Sequence, residues 1–224
     1  MRVLIACEES QAVCTAFRKR GHEAYSADIQ HCALYNHIEW HIVEDARLLL
    51  NTPVRFQTVD AQWHQVEKWD LIIAHPPCTY LTSAGSVRLF NKDHTIKDPA
   101  RYAKGLAAKE LFLRFLEGAG CEHIAVENPA PMHIFNLPPY TQIIEPYMFG
   151  EPWKKRTCLW LRGLPELRPT NQVEPVACWV DAHGGYMSRT KLIDKDHKGQ
   201  HSAKMRSKTF PGIAEAMAEQ WGNI

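Results

Sequence analysis

Short apolar runs, set between amphipathic stretches, give this chain its rhythm. Arg2-Val-Leu-Ile-Ala6 and Asp70-Leu-Ile-Ile-Ala74 are continuous apolar runs bounded by charge. Parallel strands covered on both faces have this form. His123-Ile-Ala-Val126 is a third such run, and His22 to Ser26 and Ile42 to Asp45 predict two more strands. Gln142 to Met148 and Arg156 to Leu161 predict a further pair, joined through Gly150 and Pro152. Between the strands, Val13, Ala16 and Phe17 share one face of a helix predicted over 11–20, with Ser10 as cap and Gly21 as stop. A second helix is predicted over 57–68. The clearest helix opens at Asp98-Pro99 and stops at Gly118, with Ala108, Leu111, Phe112, Phe115 and Leu116 as a core-facing stripe. Residues 86–98 are polar without a clean period and predict a mobile loop; Pro211 to Trp221 predict a closing helix. Strands alternating with helices indicate an α/β fold with a mainly parallel sheet.

Composition narrows the picture. A chain of 224 residues with 45% hydrophobic and 23% charged positions supports one substantial core. The formal net charge of +1 excludes a uniformly basic coat and leaves room for a local basic patch. One such patch runs from Ser188 to Lys208, where Arg189, Lys191, Lys195, Lys198, Lys204, Arg206 and Lys208 face only Asp194 and Asp196. Seven cysteines, none spaced as CxxC, exclude the usual zinc patterns and fit a reducing compartment. Met1 leads straight into a strand, and no apolar run approaches membrane-spanning length. A cytoplasmic protein with no signal peptide is therefore expected. Three regions are expected: a core over 1–161, a basic insert over 162–208, and a helix over 209–224 that returns to the core.

The candidate chemistry lies where strands end. His75-Pro76-Pro77 stops the 70–74 strand, since two prolines remove donors and fix φ, and Cys78 follows on that stiff turn. Most cysteines in such a place are core residues. The carboxyl end of a parallel sheet, however, is where ligands bind, so Cys78 is a candidate nucleophile. Glu8 and Glu9 follow the first strand, Asp28 the second, Asp45 the third, and Glu127 the strand at 123–126. An acid after the second strand suits ribose hydroxyls, and one after the third can reach an adenine amino group. Singly, each is more often a surface carboxylate; their shared edge is the stronger signal.

With Ala74-His-Pro-Pro-Cys78 and Val126-Glu-Asn-Pro129 in this order, the chain resembles the cytosine-5 DNA methyltransferase family, especially its short bacteriophage and prophage members. Two weaker matches extend the resemblance over most of the chain. Gly150-Glu-Pro-Trp-Lys-Lys-Arg156 is similar to the family's basic motif, and Arg206-Ser-Lys-Thr-Phe-Pro-Gly stands where its C-terminal motif belongs. The resemblance implies a doubly wound sheet of the class I methyltransferase type with a much reduced target-recognition region. It implies S-adenosylmethionine as cofactor, held by Glu8, Glu9, Asp28, Asp45 and Pro76, and a flipped or single-stranded cytosine in DNA as substrate. No metal and no membrane enter. Cys78 would add to cytosine C6, because C5 is a poor nucleophile until that addition. Glu127 would serve ring N3, with Asn128 and Arg156 completing the catalytic set. Pro77, Thr79, Lys155, Lys195 and Lys198 would contact the substrate.

Two features depart from the family pattern. Ala6-Cys7-Glu8-Glu9-Ser10 contains no glycine where the family's first loop is glycine-rich, and 162–205 is short for a target-recognition domain. Weak, salt-dependent and poorly selective DNA binding is the expectation. An amino-methyltransferase acting on adenine or cytosine, and a non-catalytic nucleic-acid or cofactor binder, are the competing readings.

Overall fold

Strands β1 (Arg2–Ala6), β2 (Glu23–Asp28), β3 (His41–Val43), β6 (Leu71–Ala74) and β7 (His123–Asn128) lie parallel in one sheet. The computed structural model describes residues 1–32, 36–175 and 208–224. In it the sheet has seven strands in the order β3-β2-β1-β6-β7-β9-β8. The last two are β9 (Thr157–Arg162), antiparallel to β7, and β8 (Gln142–Ile144), antiparallel to β9. The expected mainly parallel α/β sheet is thus present.

Both faces of the sheet are covered, which is why its central strands are apolar without alternation. Leu4, Ala6, Ile72, Ala74, Ile124 and Val126 point to one side and pack with Phe112 and Phe115 of helix α3 (Pro99–Glu117). Val3, Ile5, Leu71, Ile73 and Ala125 point to the other. There they meet Val13 and Phe17 of α1 (Ala12–Lys19) and Met217 and Trp221 of α4 (Pro211–Trp221). Each fully buried large side chain contributes roughly 1.5–3 kcal/mol. Helix α3 starts and stops as its sequence predicts: the Asp98 carboxylate accepts from Arg101 N at 2.9 Å, and Gly118 turns left-handed at φ 55°.

Four expectations need correction. Residues 57–68 form no helix; β4 (Val54–Gln57) and β5 (Trp63–Val66) pair as an antiparallel hairpin. Val59, Trp63 and Val66 have helical spacing, but Thr58 to Gln62 close a turn, with Ala61 left-handed at φ 63° and Thr58 N donating to Gln62 O at 3.0 Å. Phe56 and Val66 are thereby turned into the core, with the Phe56 ring 6.0 Å from that of Trp69. The polar segment 86–98 is not simply a loop: α2 (Ser86–Leu89) buries Leu89, and Phe90 bridges Ile96. The strand predicted over 142–148 stops at Ile144, because Pro146 cannot donate and opens a 3-10 turn instead. Ser10 does not cap α1, whose N-terminus is held by another residue described below.

Candidate active site

Because five strands are parallel, their carboxyl ends lie on one edge. Ala6 is in register with Ala27 and Ala74, and Ala74 with Val126. The sequence positions that follow (Cys7 to Glu9, Asp28, His75 to Cys78, and Glu127 with Asn128) therefore converge there. Asp45 joins them two residues past β3.

Two contacts lock the Pro-Pro-Cys turn to the Glu-Asn pair. The His75 Nδ1 and a Glu127 carboxylate oxygen lie 2.8 Å apart, with side chains only 10% and 14% exposed. One residue on, Asn128 Nδ2 donates to Pro76 O at 2.8 Å from a fully buried position. Pro76 is buried, Pro77 and Thr79 are exposed, and Cys78 is half-buried between them. The Cys78 carbonyl accepts from Leu81 N and Thr82 N, both at 3.1 Å, so the chain turns sharply just past the thiol. Arg101 of α3 braces the far side: its guanidinium donates to Thr79 O at 2.7 Å and lies over the Tyr80 ring.

The electrostatics of the pair follow from this geometry. Burial pushes the Glu127 carboxyl up, but the hydrogen bond and charge of His75 outweigh it and hold Glu127 below its usual range. Burial pushes His75 down, yet the Glu127 bond and charge win and raise it. Each partner thus favours the charged form of the other. His75 had no assigned role in the cytosine-5 reading. The sequence carries no local signal for this contact; the register that sets Ala74 beside Val126 brings the residues that follow them, His75 and Glu127, into reach.

At the other strand ends the predicted residues separate. Glu8, expected at the cofactor, is 4% exposed, and its carboxylate accepts from Val13 N at 2.6 Å and Cys14 N at 3.2 Å, at the start of α1. Burial raises its carboxyl, against the pull of His75 and those amides. Cys7 and Gln11 take left-handed φ values of 59° and 57°, so the first loop adopts glycine-like backbone without glycine. Burial, then the charges of Asp28 and Asp45, push the Cys7 thiol up to about 12, so it stays neutral. Asp28 is raised mainly by burial and accepts from Gln30 N at 2.9 Å. Asp45 is held low by its hydrogen bonds from Arg47. Glu9 is half-buried, near enough to Asp28 and His41 to influence both.

The basic motif also divides. Lys155 acts electrostatically on both Glu127 and His75, while its ammonium lies 3.5 Å from Lys208 O and over the Phe210 ring. It therefore links the Glu-Asn pair to the start of α4. Arg156 is exposed at the start of β9, close to Glu145 and Cys158. Lys195 and Lys198 lie outside the described residues. Among the described residues, no cluster of three or more His, Cys, Asp or Glu could hold a metal, and no helix is long and apolar enough to cross a membrane.

No protein-family model and no curated protein matches the chain. Solved structures similar to parts of it include two methyltransferases. A candidate DNA modification methyltransferase encoded within a prophage (E. coli) is 15% identical, over 79% of this chain and 52% of that one, with a TM-score of 0.44. The Entamoeba histolytica methyltransferase EhMeth is 14% identical, over 77% and 57%, with a TM-score of 0.39. The chain spans little more than half the length of either, and likeness of this degree carries no weight for function.

Proposed function

We propose that this chain is a DNA cytosine-5 methyltransferase that uses Cys78 as covalent nucleophile and S-adenosylmethionine as methyl donor. The observation that carries this reading is the double lock between neighbouring strand ends, His75 to Glu127 and Asn128 to Pro76. It holds a thiol-bearing turn and a buried carboxylate in one fixed relation, as covalent activation of a pyrimidine requires.

The Cys78 thiolate adds to cytosine C6, and charge develops at N3. N3 takes a proton through Glu127, with the His75–Glu127 pair as its source, leaving His75 neutral. Bound S-adenosylmethionine would supply the methyl group to C5; solvent water then takes the C5 proton, the C6–S bond breaks to release the thiolate, and N3 returns its proton through Glu127 to His75. Asp28, half-buried at the end of β2, and the left-handed first loop fit the nucleoside half of that cofactor. Lys155 faces the developing anion and steadies it. The amino-methyltransferase reading is weaker, because it needs the residue at position 75 to accept from the target amine, and His75 is committed to Glu127.

DNA carrying 5-fluorocytosine tests the proposal, since fluorine at C5 cannot leave as a proton. With S-adenosylmethionine present, the wild type should form an adduct stable to denaturation, and Cys78→Ser should form none. An adduct that persists in Cys78→Ser, or methyl label recovered on an exocyclic nitrogen after digestion to nucleosides, would overturn it.

A further inference from the structure

Beside the turn that carries Cys78 runs a groove of about 840 Å³, to which the proposed chemistry assigns no role. Its two walls are the segments that leave the active site. One is 83–97, beginning five residues past Cys78; the other is 130–134, beginning two residues past Asn128. They are stitched together at their roots: Ser83 N donates to Ala130 O at 3.1 Å and Met132 N to Leu81 O at 2.7 Å. The groove is therefore tied by backbone hydrogen bonds to the two segments that follow Cys78 and Asn128.

Its lining mixes exposed polar and basic side chains with apolar ones. Lys92, Lys97, His94 and His133 line it, with Phe90 and Met132 among the apolar contacts, and no carboxylate is among its lining residues. Asp93, between two of them in sequence, accepts from Thr95 N at 3.1 Å and Thr95 Oγ1 at 2.7 Å. Over 86–104 the chain carries Arg88, Lys92, Lys97, Arg101 and Lys104 against Asp93 and Asp98, a concentration of positive charge in a chain of net charge +1. Cations that track a backbone, above apolar and aromatic surface that receives base faces, are what an unpaired nucleic-acid strand requires. A duplex shows its phosphates but hides its base faces, and would leave the apolar part of the groove without a partner.

We infer that this groove holds the nucleotides next to the target cytosine on a single unpaired strand, with Lys92 and Lys97 on phosphates and Val87 and Phe90 against bases. The inference rests on the proposed function for the identity of the target base. It differs from it in claiming where the strand lies and that the strand is single.

Fluorescence anisotropy tests it, with an unstructured labelled DNA strand containing one cytosine and with its duplex. The proteins are wild type, the double variant Lys92→Ala/Lys97→Ala, and Val87→Asp, which puts a carboxylate into the groove wall. Wild type should bind the single strand and prefer it to the duplex. The double variant should bind it roughly tenfold more weakly, with a salt slope smaller by about 1.4, since each single-strand phosphate contact contributes about 0.7. Val87→Asp should weaken it similarly. Undiminished binding by both groove variants, or a wild type that prefers the duplex, overturns the inference and leaves the methyltransferase proposal standing. Single-strand binding that depends on the groove, with no methyl transfer by wild type, upholds the inference and overturns the proposal.

Discussion

At the scale of single residues, the His75–Glu127 pair sets the chemistry available at the strand ends. A carboxyl held below its ordinary value of 4.5 adds stability that is complete above that pH and is lost as pH falls through its lowered value. An imidazole held above its ordinary value of 6.5 adds stability that is complete below that pH and is lost as pH rises through its raised value. Both contributions are complete only between about 4.5 and 6.5. Glu127→Gln keeps the shape but removes the charge. The gap in melting temperature between wild type and this variant should be widest near pH 5.5 and shrink as pH is raised toward 9.5; a gap that does not change would mean the pair is not ionised. The same variant should lose about two to four orders of magnitude in methyl-transfer rate, the range usual for a lost acid–base group. Cys78 and Glu127 were legible as types at strand ends. Their coupling through His75 was not, because a contact across 52 positions leaves no local pattern.

At the scale of elements, α3 shows how a helix can carry a residue that its local propensity disfavours. Gly105 sits mid-helix and buried, where alanine is intrinsically better by about 1 kcal/mol. A Cβ there would meet Phe135 Cζ at 2.1 Å, and Phe135 is itself 1% exposed. Overpacking of this kind costs about 1–3 kcal/mol and should exceed the gain in propensity. Gly105→Ala should therefore lower the urea midpoint, and a raised midpoint would show that the Phe135 ring can move aside. The turn His133–Phe135 also lines the groove, so the packing of α3 bears on its shape. The ends of α3 could be read in advance because Asp-Pro and Gly act locally. The hairpin β4–β5 could not. Its apolar spacing suits a helix, and only the packing of Phe56 and Val66 into the core selects strands.

At the scale of the whole molecule, near-neutral net charge conceals an uneven distribution. Two basic stretches stand out, the groove segment 86–104 and the run 189–208, of which Lys208 alone is described. If the run also contacts DNA, changing Lys195, Lys198 and Lys204 together to alanine should reduce the salt slope on a single strand by about two. That loss should add to the loss from the groove variants, since each contact releases its own counterions. An unchanged slope would leave the groove as the nucleic-acid surface and the run as a solvated segment.

The sequence by itself determined the class of fold, the buried strands, the boundaries of α3 and the gathering of acids and a thiol at strand ends. These are consequences of local chemistry: apolar runs demand cover on both faces, and proline and glycine act within a residue or two of where they stand. Only the tertiary structure decided which partners several of those strand-end groups take. Glu8 became a helix cap, Cys7 a neutral thiol among carboxylates, and His75 the partner of Glu127. The physical reason is that protonation and hydrogen bonding depend on distance and burial across the sheet edge, and residues far apart in the chain carry no record of either until the strands align.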